Sequence, residues 1–480
     1  MKRFSFYLWS ICFLIVLLPA NAADKNDARS WKAGVARVTI TPKEPMWLAG
    51  YVFRDHPAEG TLQDLWAKAL ALEDAGGKRC VLVTLDLCMI PKEMSDWIRG
   101  QLKLKYKLDK AQVILNCSHT HSGPVLTNSL SNAYDINDAE KQKIKSYTEN
   151  LSRQIVALVG AAINSLQPAD VFSGNGFARF QVNRRNNNEN YLLLQSELEG
   201  PNDYAVPVLK IVNKADSLIA IAFGYACHNT VLRGYQWSGD YAGFAQWELE
   251  KMYPGATALF FQGAGADQNP LPRRTIPLAK QFGKELAYAV ENVLSREMPK
   301  QSPHLSFSYS EVRLPLNEPP SKKELELMTQ DTTEAYKARS AANLLKQLNS
   351  GTPAIKSYPY PIQVWKIGDQ PLVALGGEVV IHYAIEIKKL FGANTFVLGY
   401  SNDVMAYIPS AEILRESNDK ESGYAFYDPT NHDAIAYEGG LFTQLVYGLP
   451  STWASNIETV ILNEAQRVAR LAGVKLAEYK

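Results

Sequence analysis

"AQVILNCSHTHSGP", Ala111 to Pro124, opens as an apolar run and closes with two histidines one residue apart, just ahead of a glycine-proline turn. The run reads as a buried strand that leads directly into the motif. In an extended segment residues i and i+2 point to the same side, so His119 and His121 are expected to face one cavity at the strand's end. Two jobs suit that geometry: both imidazoles bind one zinc ion, or one binds metal while its neighbour shuttles protons. The structural alternative is a pair of hydrogen-bonded loop histidines.

Working outward, "AGVARVTITP" (Ala33 to Pro42) alternates and stops at a proline, as a strand does. "LWAKALALED" and "RCVLVTLDL", joined by a turn, predict a hairpin. "KEMSDWIRGQLKLKY" has helical spacing of Met94, Trp97, Ile98 and Leu102, and residues 138–165 repeat Ile144, Tyr147, Leu151, Ile155, Leu158 and Ala162 at three- and four-residue steps. Strands return in "DVFSGNGFARFQVN", "AVPVLKIVN" and "LIAIAFGYACH". Residues 240–252 and 276–295 are helical again, and "SKKELELMTQDTTEAYKARSAANLLKQLN" reads as a solvated surface helix. "YPIQVWKIGDQPLVALGG" is a strand-turn-strand pair ahead of the helix "VVIHYAIEIKKLFG". There is no internal repeat, low-complexity tract or long linker. The expected fold is a layered α/β (α+β) domain, with mixed β-sheets covered by helices in a sandwich-like arrangement.

Of the 480 residues 46% are hydrophobic, enough for a large core without staples. Fifty basic residues against 49 acidic ones leave no global field to recruit nucleic acid or an anionic membrane. The start, "MKRFSFYLWSICFLIVLLPANAADKND", has two basic residues, an apolar stretch through Leu18 and the small-x-small pattern Ala20-Asn21-Ala22. It reads as a secretory signal peptide over 1–22, because the apolar run is short for a spanning helix of about 20 residues. Cys12 leaves with it. Cys80 and Cys88 bound "CVLVTLDLC", read as one strand; at about 3.3 Å per residue they lie roughly 26 Å apart, beyond disulfide reach. Cys117 and Cys227 read as buried free thiols, a bridge between them being the alternative.

Seven histidines occur in all. His228 in "GYACHNTVL" follows another long apolar strand, and Glu378 in "VALGGEVVIHY" follows two glycines at a strand-to-helix junction. Together with His119 they form a candidate catalytic zinc site. His382, four residues after Glu378, is a candidate chelating partner on a shared helical face. Asp86 lies in an apolar strand and calls for a partner, either a metal-bound histidine held through its second nitrogen or solvent at the strand end. Asp240 reads as a helix N-cap.

Five of these segments, in order, resemble the neutral (non-lysosomal) ceramidase family. "SHTHSGP" is similar to that family's "THTHSGPG", "CHNT" to its "CHPT", "GGE" to its "PGE(F)", "AYIPS" to its "SYVTT" and "AYEGG" to its "RYEGAS". The similarity spans roughly residues 33 to 445. It implies that His119, His228, Glu378 and Tyr407 are zinc ligands. His121 becomes the neighbour that handles protons or binds the reacting carbonyl. Tyr437 matches the family's oxyanion-stabilising tyrosine, and Arg184 its substrate-binding arginine, with Arg185 the adjacent alternative. Residues 23–480 are then a single ceramidase-like catalytic domain without the family's C-terminal immunoglobulin-like domain.

The family's "GDVSPN" segment corresponds to "GAGADQNP", where Asp267 matches the aspartate but Gln268 or Asn269 replaces the serine. A serine nucleophile is therefore not expected. The implied protein is a secreted or periplasmic zinc-dependent amidohydrolase acting on ceramide or a related N-acyl lipid. Its partner is a small-molecule or lipid substrate, with peripheral membrane contact open, no nucleic acid, and no transmembrane segment after signal cleavage. Two alternatives stand beside it: a metal-dependent periplasmic esterase or deacylase for a polar or glycan-linked substrate, and a non-catalytic zinc-binding protein.

Overall fold

Strand alternation sorts the chain into layers. The computed structural model describes Met1 and residues 30–130, 132–187, 189, 192, 197–330, 335–418 and 437–477, so the expected leader lies outside the described residues apart from Met1. Eight strands make the larger sheet: β1 (Trp31–Thr39), β2 (Trp66–Glu73), β3 (Arg79–Leu85), β4 (Val113–Cys117), β5 (Gln167–Phe177), β6 (Ala205–Asn213), β7 (Leu218–Tyr225) and β8 (Thr257–Gln262). Their order is β8-β7-β6-β5-β1-β2-β3-β4. Only the outermost pairs, β7 with β8 and β3 with β4, are parallel. Next come β9 (Leu305–Pro315), β10 (Ser357–Ile367), β11 (Gln370–Leu375), β12 (Glu378–Val379), β13 (Phe396–Leu398) and β14 (Tyr407–Ile408). A second sheet runs β9-β10-β11-β13, and β12 pairs with β14 alone.

Leu70, Leu72, Cys80, Leu82, Ile114 and Phe261 from the larger sheet share one cluster with Trp365, Ile367, Leu372 and Leu398 from the smaller, so the two sheets pack face to face. The alternate residues of the larger sheet face helices. Val81, Val83 and Leu85 meet α1 (Lys92–Tyr106) and α2 (Asp138–Asn164), while Ile221, Phe223, Ala258 and Phe260 meet α3 (Asp240–Met252) and α4 (Ile276–Leu294). On the far side Ile362, Val364, Val373 and Leu375 pack on α7 (Ile381–Phe391) and α8 (Ile457–Leu471). The result is helices, sheet, sheet, helices, the layered mixed α/β architecture that the sequence implies. The predicted hairpin is β2–β3, registered from Glu73↔Arg79 to Ala67↔Leu85. Among the described residues no helix is long and apolar enough to cross a membrane.

Three local readings change. The stretch from Cys80 to Cys88 is not one strand: β3 stops at Leu85 and Cys88 turns toward His119. The charged segment at 321–349 holds two helices, α5 (Lys322–Met328) and α6 (Ala335–Asn349). Asp240 is not the N-cap of α3; Gly239 is, and Asp240 sits at φ 53 with its buried carboxylate accepting the N–H groups of Leu232 and Tyr241 at 2.8 and 2.6 Å. Cys80, Cys88, Cys117 and Cys227 are all buried free thiols, as the sequence implies for the last two.

Asp403, between β13 and β14, gives the fold a pH handle. One carboxylate oxygen accepts from the Tyr358 hydroxyl at 2.8 Å, and the other has no partner among the described residues. Burial pushes the group up from 3.8 to about 7, with the Tyr358 hydrogen bond opposing. A folded-state pKa above the unfolded one means stability that is full below pH 3.8 and lost as pH rises through about 7. Asp403→Asn should remove that component, so its urea midpoint, measured against wild type, should gain steadily across this window and level off above it.

Candidate metal centre

Three strand ends carry the predicted ligands, and a buried amide network brings them together. Asn116, fully buried near the end of β4, donates through Nδ2 to the Gly399 carbonyl at 2.8 Å and the Ser401 hydroxyl at 3.1 Å, and its Oδ1 accepts the Gln262 N–H at 2.8 Å. This one side chain ties β4 to the end of β8 and to the chain leaving β13. Gln262 continues the network, donating from Nε2 to the Cys227 carbonyl at 2.7 Å. Thr120 and Asn229 then form a parallel bridge, zipping the His119 loop to the His228 loop. Glu378 arrives from the end of β11 through Gly376 and Gly377. Gly377 has φ 73, and a Cβ there would meet Ile408 Cγ1 at 2.6 Å, so the turn needs glycine.

His119 Nε2 lies 3.1 Å from Glu378 Oε2, and His228 Nε2 lies 3.5 Å from the same oxygen. Ligand atoms of His119, His228 and Glu378 all fall within 4.8 Å of one another. Both imidazoles are aimed through their other nitrogen: His119 Nδ1 donates to the Cys88 carbonyl at 2.7 Å and His228 Nδ1 to the Gly265 carbonyl at 2.9 Å. Backbone anchoring of this kind fixes the tautomer and presents Nε2 as the donor, the usual support of metal-binding histidines. Glu378 accepts at its other oxygen from the Tyr447 hydroxyl, and Tyr400 approaches Oε2 at 3.4 Å.

The cluster requires positive charge. Burial alone would raise the Glu378 carboxyl, but His119 and His228 hold it well below the carboxylate range. Burial also opposes charge on His119, yet Glu378 prevails and lifts that imidazole to about 10. Burial pushes His228 down to about 4 and His121 well below its ordinary value. Two imidazole nitrogens and a carboxylate oxygen, buried and convergent, are a fitting donor set for a first-row divalent cation.

The predicted neighbours gather around this point. His119 sits at φ 60, so the left-handed turn, and not strand alternation, brings His121 beside it, with Nε2 atoms 3.0 Å apart. The His121 ring packs edge-on against Tyr51 at 4.6 Å, and a Cβ on Gly50 would come within 2.3 Å of its Cγ. Register in the β12–β14 pair sets Tyr407 directly opposite Glu378. Burial, seconded by Glu378, pushes the Tyr407 phenol well above its usual value, with Arg184 working against this. Arg184 is gripped by Glu438 through Nε at 3.0 Å and Nη2 at 2.8 Å, and its guanidinium lies 5.6 and 5.5 Å from the Tyr407 and Tyr437 rings. Arg185 instead pairs with Glu416. One cavity is lined by His119, His121, His228, Arg184, Tyr407 and Tyr437.

Three candidates lie elsewhere. His382 is not a ligand, because Glu378 precedes the helix; its Nε2 pairs with Glu458 at 3.2 Å. Asp86 orients neither histidine and does not face solvent, and its carboxylate accepts the Trp66 N–H at 2.9 Å. Asp267 supports the site indirectly: it accepts the Ile381 N–H at 2.8 Å, and its carbonyl accepts the Arg184 N–H at 2.9 Å. Asn116, Gly50, Tyr400 and Tyr447 were not singled out from sequence. Asn116 alone had a signal, an amide inside an apolar strand.

The chain is similar in sequence and fold to known proteins. The family described as "Neutral/alkaline non-lysosomal ceramidase, N-terminal" matches residues 31–268. The neutral ceramidase of Pseudomonas aeruginosa is 24% identical over 512 aligned positions, covering 89% of this chain and 73% of its own. Neutral ceramidase B of Dictyostelium discoideum is 28% identical across 43% of this chain and 31% of its own. The crystal structure of the Pseudomonas aeruginosa enzyme superposes with a TM-score of 0.65 at 20% identity, covering 94% of this chain and 76% of that one. A ceramidase complexed with C2 gives 0.62, also at 20% identity, over 88% of this chain and 76% of that one.

Asn116 touches no ligand atom, yet Asn116→Ala should loosen the centre. Loss of a buried group whose partners stay unpaired costs roughly 1–3 kcal/mol per orphaned partner. The variant should therefore melt lower and bind a divalent cation more weakly, by calorimetric titration of chelator-treated protein, while Gln112→Ala, outside the network, should not weaken cation binding.

Proposed function

This chain belongs to the neutral/alkaline non-lysosomal ceramidase family, and from that premise we propose that it is an exported zinc-dependent amidohydrolase cleaving the N-acyl bond of ceramide or a related N-acyl lipid. The observation that carries the reading is the convergence of His119, His228 and Glu378 on one buried point, their ligand atoms within 4.8 Å of one another. These three hold the ion, and Tyr407, opposite Glu378, is the fourth donor once a dication offsets the cost of its phenolate. A zinc ion in such a site supplies Lewis acidity and a water acidic enough to act near neutral pH.

The protein's own groups do the rest. Tyr447 and Tyr400 keep the Glu378 carboxylate oriented by hydrogen bonds to its two oxygens. His121, with its Nε2 3.0 Å from that of His119, stands beside the ligands, where it takes a proton and passes it to the amine nitrogen as the carbon–nitrogen bond breaks. Tyr437 donates to the oxygen that gains charge during attack, a contribution of about 2.7–4 kcal/mol for one such donor. Arg184 spends Nε and Nη2 on Glu438, which leaves Nη1 for a polar group of the substrate. Export rests on the leader-like first 22 residues, and the lipid substrate on the family and the named relatives.

A chelator should abolish hydrolysis of a fluorogenic N-acyl substrate, and zinc should restore it. His119→Ala should lose metal and activity together. His121→Ala should keep the metal while kcat falls by about 100- to 10,000-fold, the range for a lost general acid–base. Retained metal and activity in His119→Ala would overturn the reading.

A further inference from the structure

The mouth of the metal-site cavity carries more cationic charge than a neutral amide can answer. Arg233 and Arg274 line it along with His119, His121 and His228. The adjacent Arg273 is engaged by Glu189, through Nε at 2.9 Å and Nη2 at 2.6 Å. Arg274 reaches the same carboxylate oxygen only at 3.9 Å. Arg233 lies over the Phe53 ring at 4.2 Å, with no carboxylate against it among the described residues.

Both residues are anchored beside the centre. Phe53 stacks on Tyr51 at 5.2 Å, and Tyr51 packs against His121 at 4.6 Å, which links Arg233 to the reaction centre through a short run of rings. The Tyr51 hydroxyl donates to the Leu232 carbonyl at 3.0 Å, fixing that run to the residue before Arg233. Arg274 has φ 94, and its N–H donates to the Val231 carbonyl at 2.7 Å. Burial and the neighbouring Arg273 both work against the charge on Arg274. Closing a neutral substrate over these guanidiniums strips water from them without a counter-charge, whereas an anion replaces that water with charge-assisted hydrogen bonds.

We propose that Arg233 and Arg274 select N-acyl substrates bearing an anionic group, a carboxylate or a phosphate, close to the scissile amide; this rests on the hydrolase reading above. The zinc-loaded protein is assayed on three substrates sharing one acyl chain: N-acylethanolamine (neutral), N-acylglycine (carboxylate) and N-acylphosphoethanolamine (phosphate). At least one anionic substrate should exceed the neutral one in kcat/KM by about 10-fold or more, and the arm that does so identifies the anion. In the double variant Arg233→Gln/Arg274→Gln that ratio should fall by about 10- to 100-fold, mostly through KM, and added salt should erode it in wild type. Arg233→Gln alone, exposed and outside any described ion pair, keeps the test readable if the double variant misfolds.

Turnover of the neutral amide equal to or better than both anionic ones would overturn the inference and leave the hydrolase reading intact. If no amide is cleaved, the hydrolase reading fails by itself, and calorimetric binding of N-acylglycine and N-acylphosphoethanolamine against N-acylethanolamine then decides. Equal affinities, or anion binding undiminished in the variants, would overturn the proposal.

Discussion

The side-chain amide of Asn116 is the point on which the centre depends. β4 and β8 are the two edges of an eight-stranded sheet and lie far apart in its order, yet their C-terminal ends meet because Asn116 bonds to Gln262 from both its oxygen and its nitrogen. The same amide reaches Gly399 and Ser401, the chain that leads to Tyr407. Inside a dry core these bonds have no water to compete with them, and an amide whose partners stand in only one arrangement admits only that arrangement. The two histidine loops and the glutamate turn are therefore registered by a residue that itself binds nothing.

Around that frame, each ligand has a second constraint. Carbonyls of Cys88 and Gly265 decide which imidazole nitrogen points inward, and Tyr447 and Tyr400 hold the carboxylate. Glycines at 50 and 377 do what side chains cannot, giving room to the His121 ring and a left-handed turn ahead of Glu378. The electrostatics follow from this geometry. One carboxylate in a buried nest of imidazoles and phenols keeps its charge only beside a cation, which is why His119 is driven up, while burial pushes His121 and His228 down.

Charge is distributed differently at the rim. Arg184 is neutralised by Glu438 and lies against two tyrosines, so it belongs to the ordered interior of the site. Arg233 and Arg274, at the cavity mouth, have no carboxylate closer than 3.9 Å among the described residues. The rim comes from the loops after His228 and Asn269 and not from the strands that set the ligands, so its charge can vary independently of the centre.

The layers, the β2–β3 hairpin and helices α1 to α4 were legible because alternation and three-to-four-residue spacing are local signals of which face is buried. His119, His228 and Glu378 could be picked out for a similar reason: each is a metal-ligating type at the end of an apolar run. The sequence alone therefore determined the kinds of element and the candidate ligands. Tertiary structure decided which of them share a point. It set His382 aside onto Glu458, turned Asp86 away from both imidazoles, drew in Tyr447 and Tyr400, and closed the sheet edges through Asn116. Those outcomes depend on contacts between residues dozens to hundreds of positions apart, and no periodicity within a strand or helix encodes them.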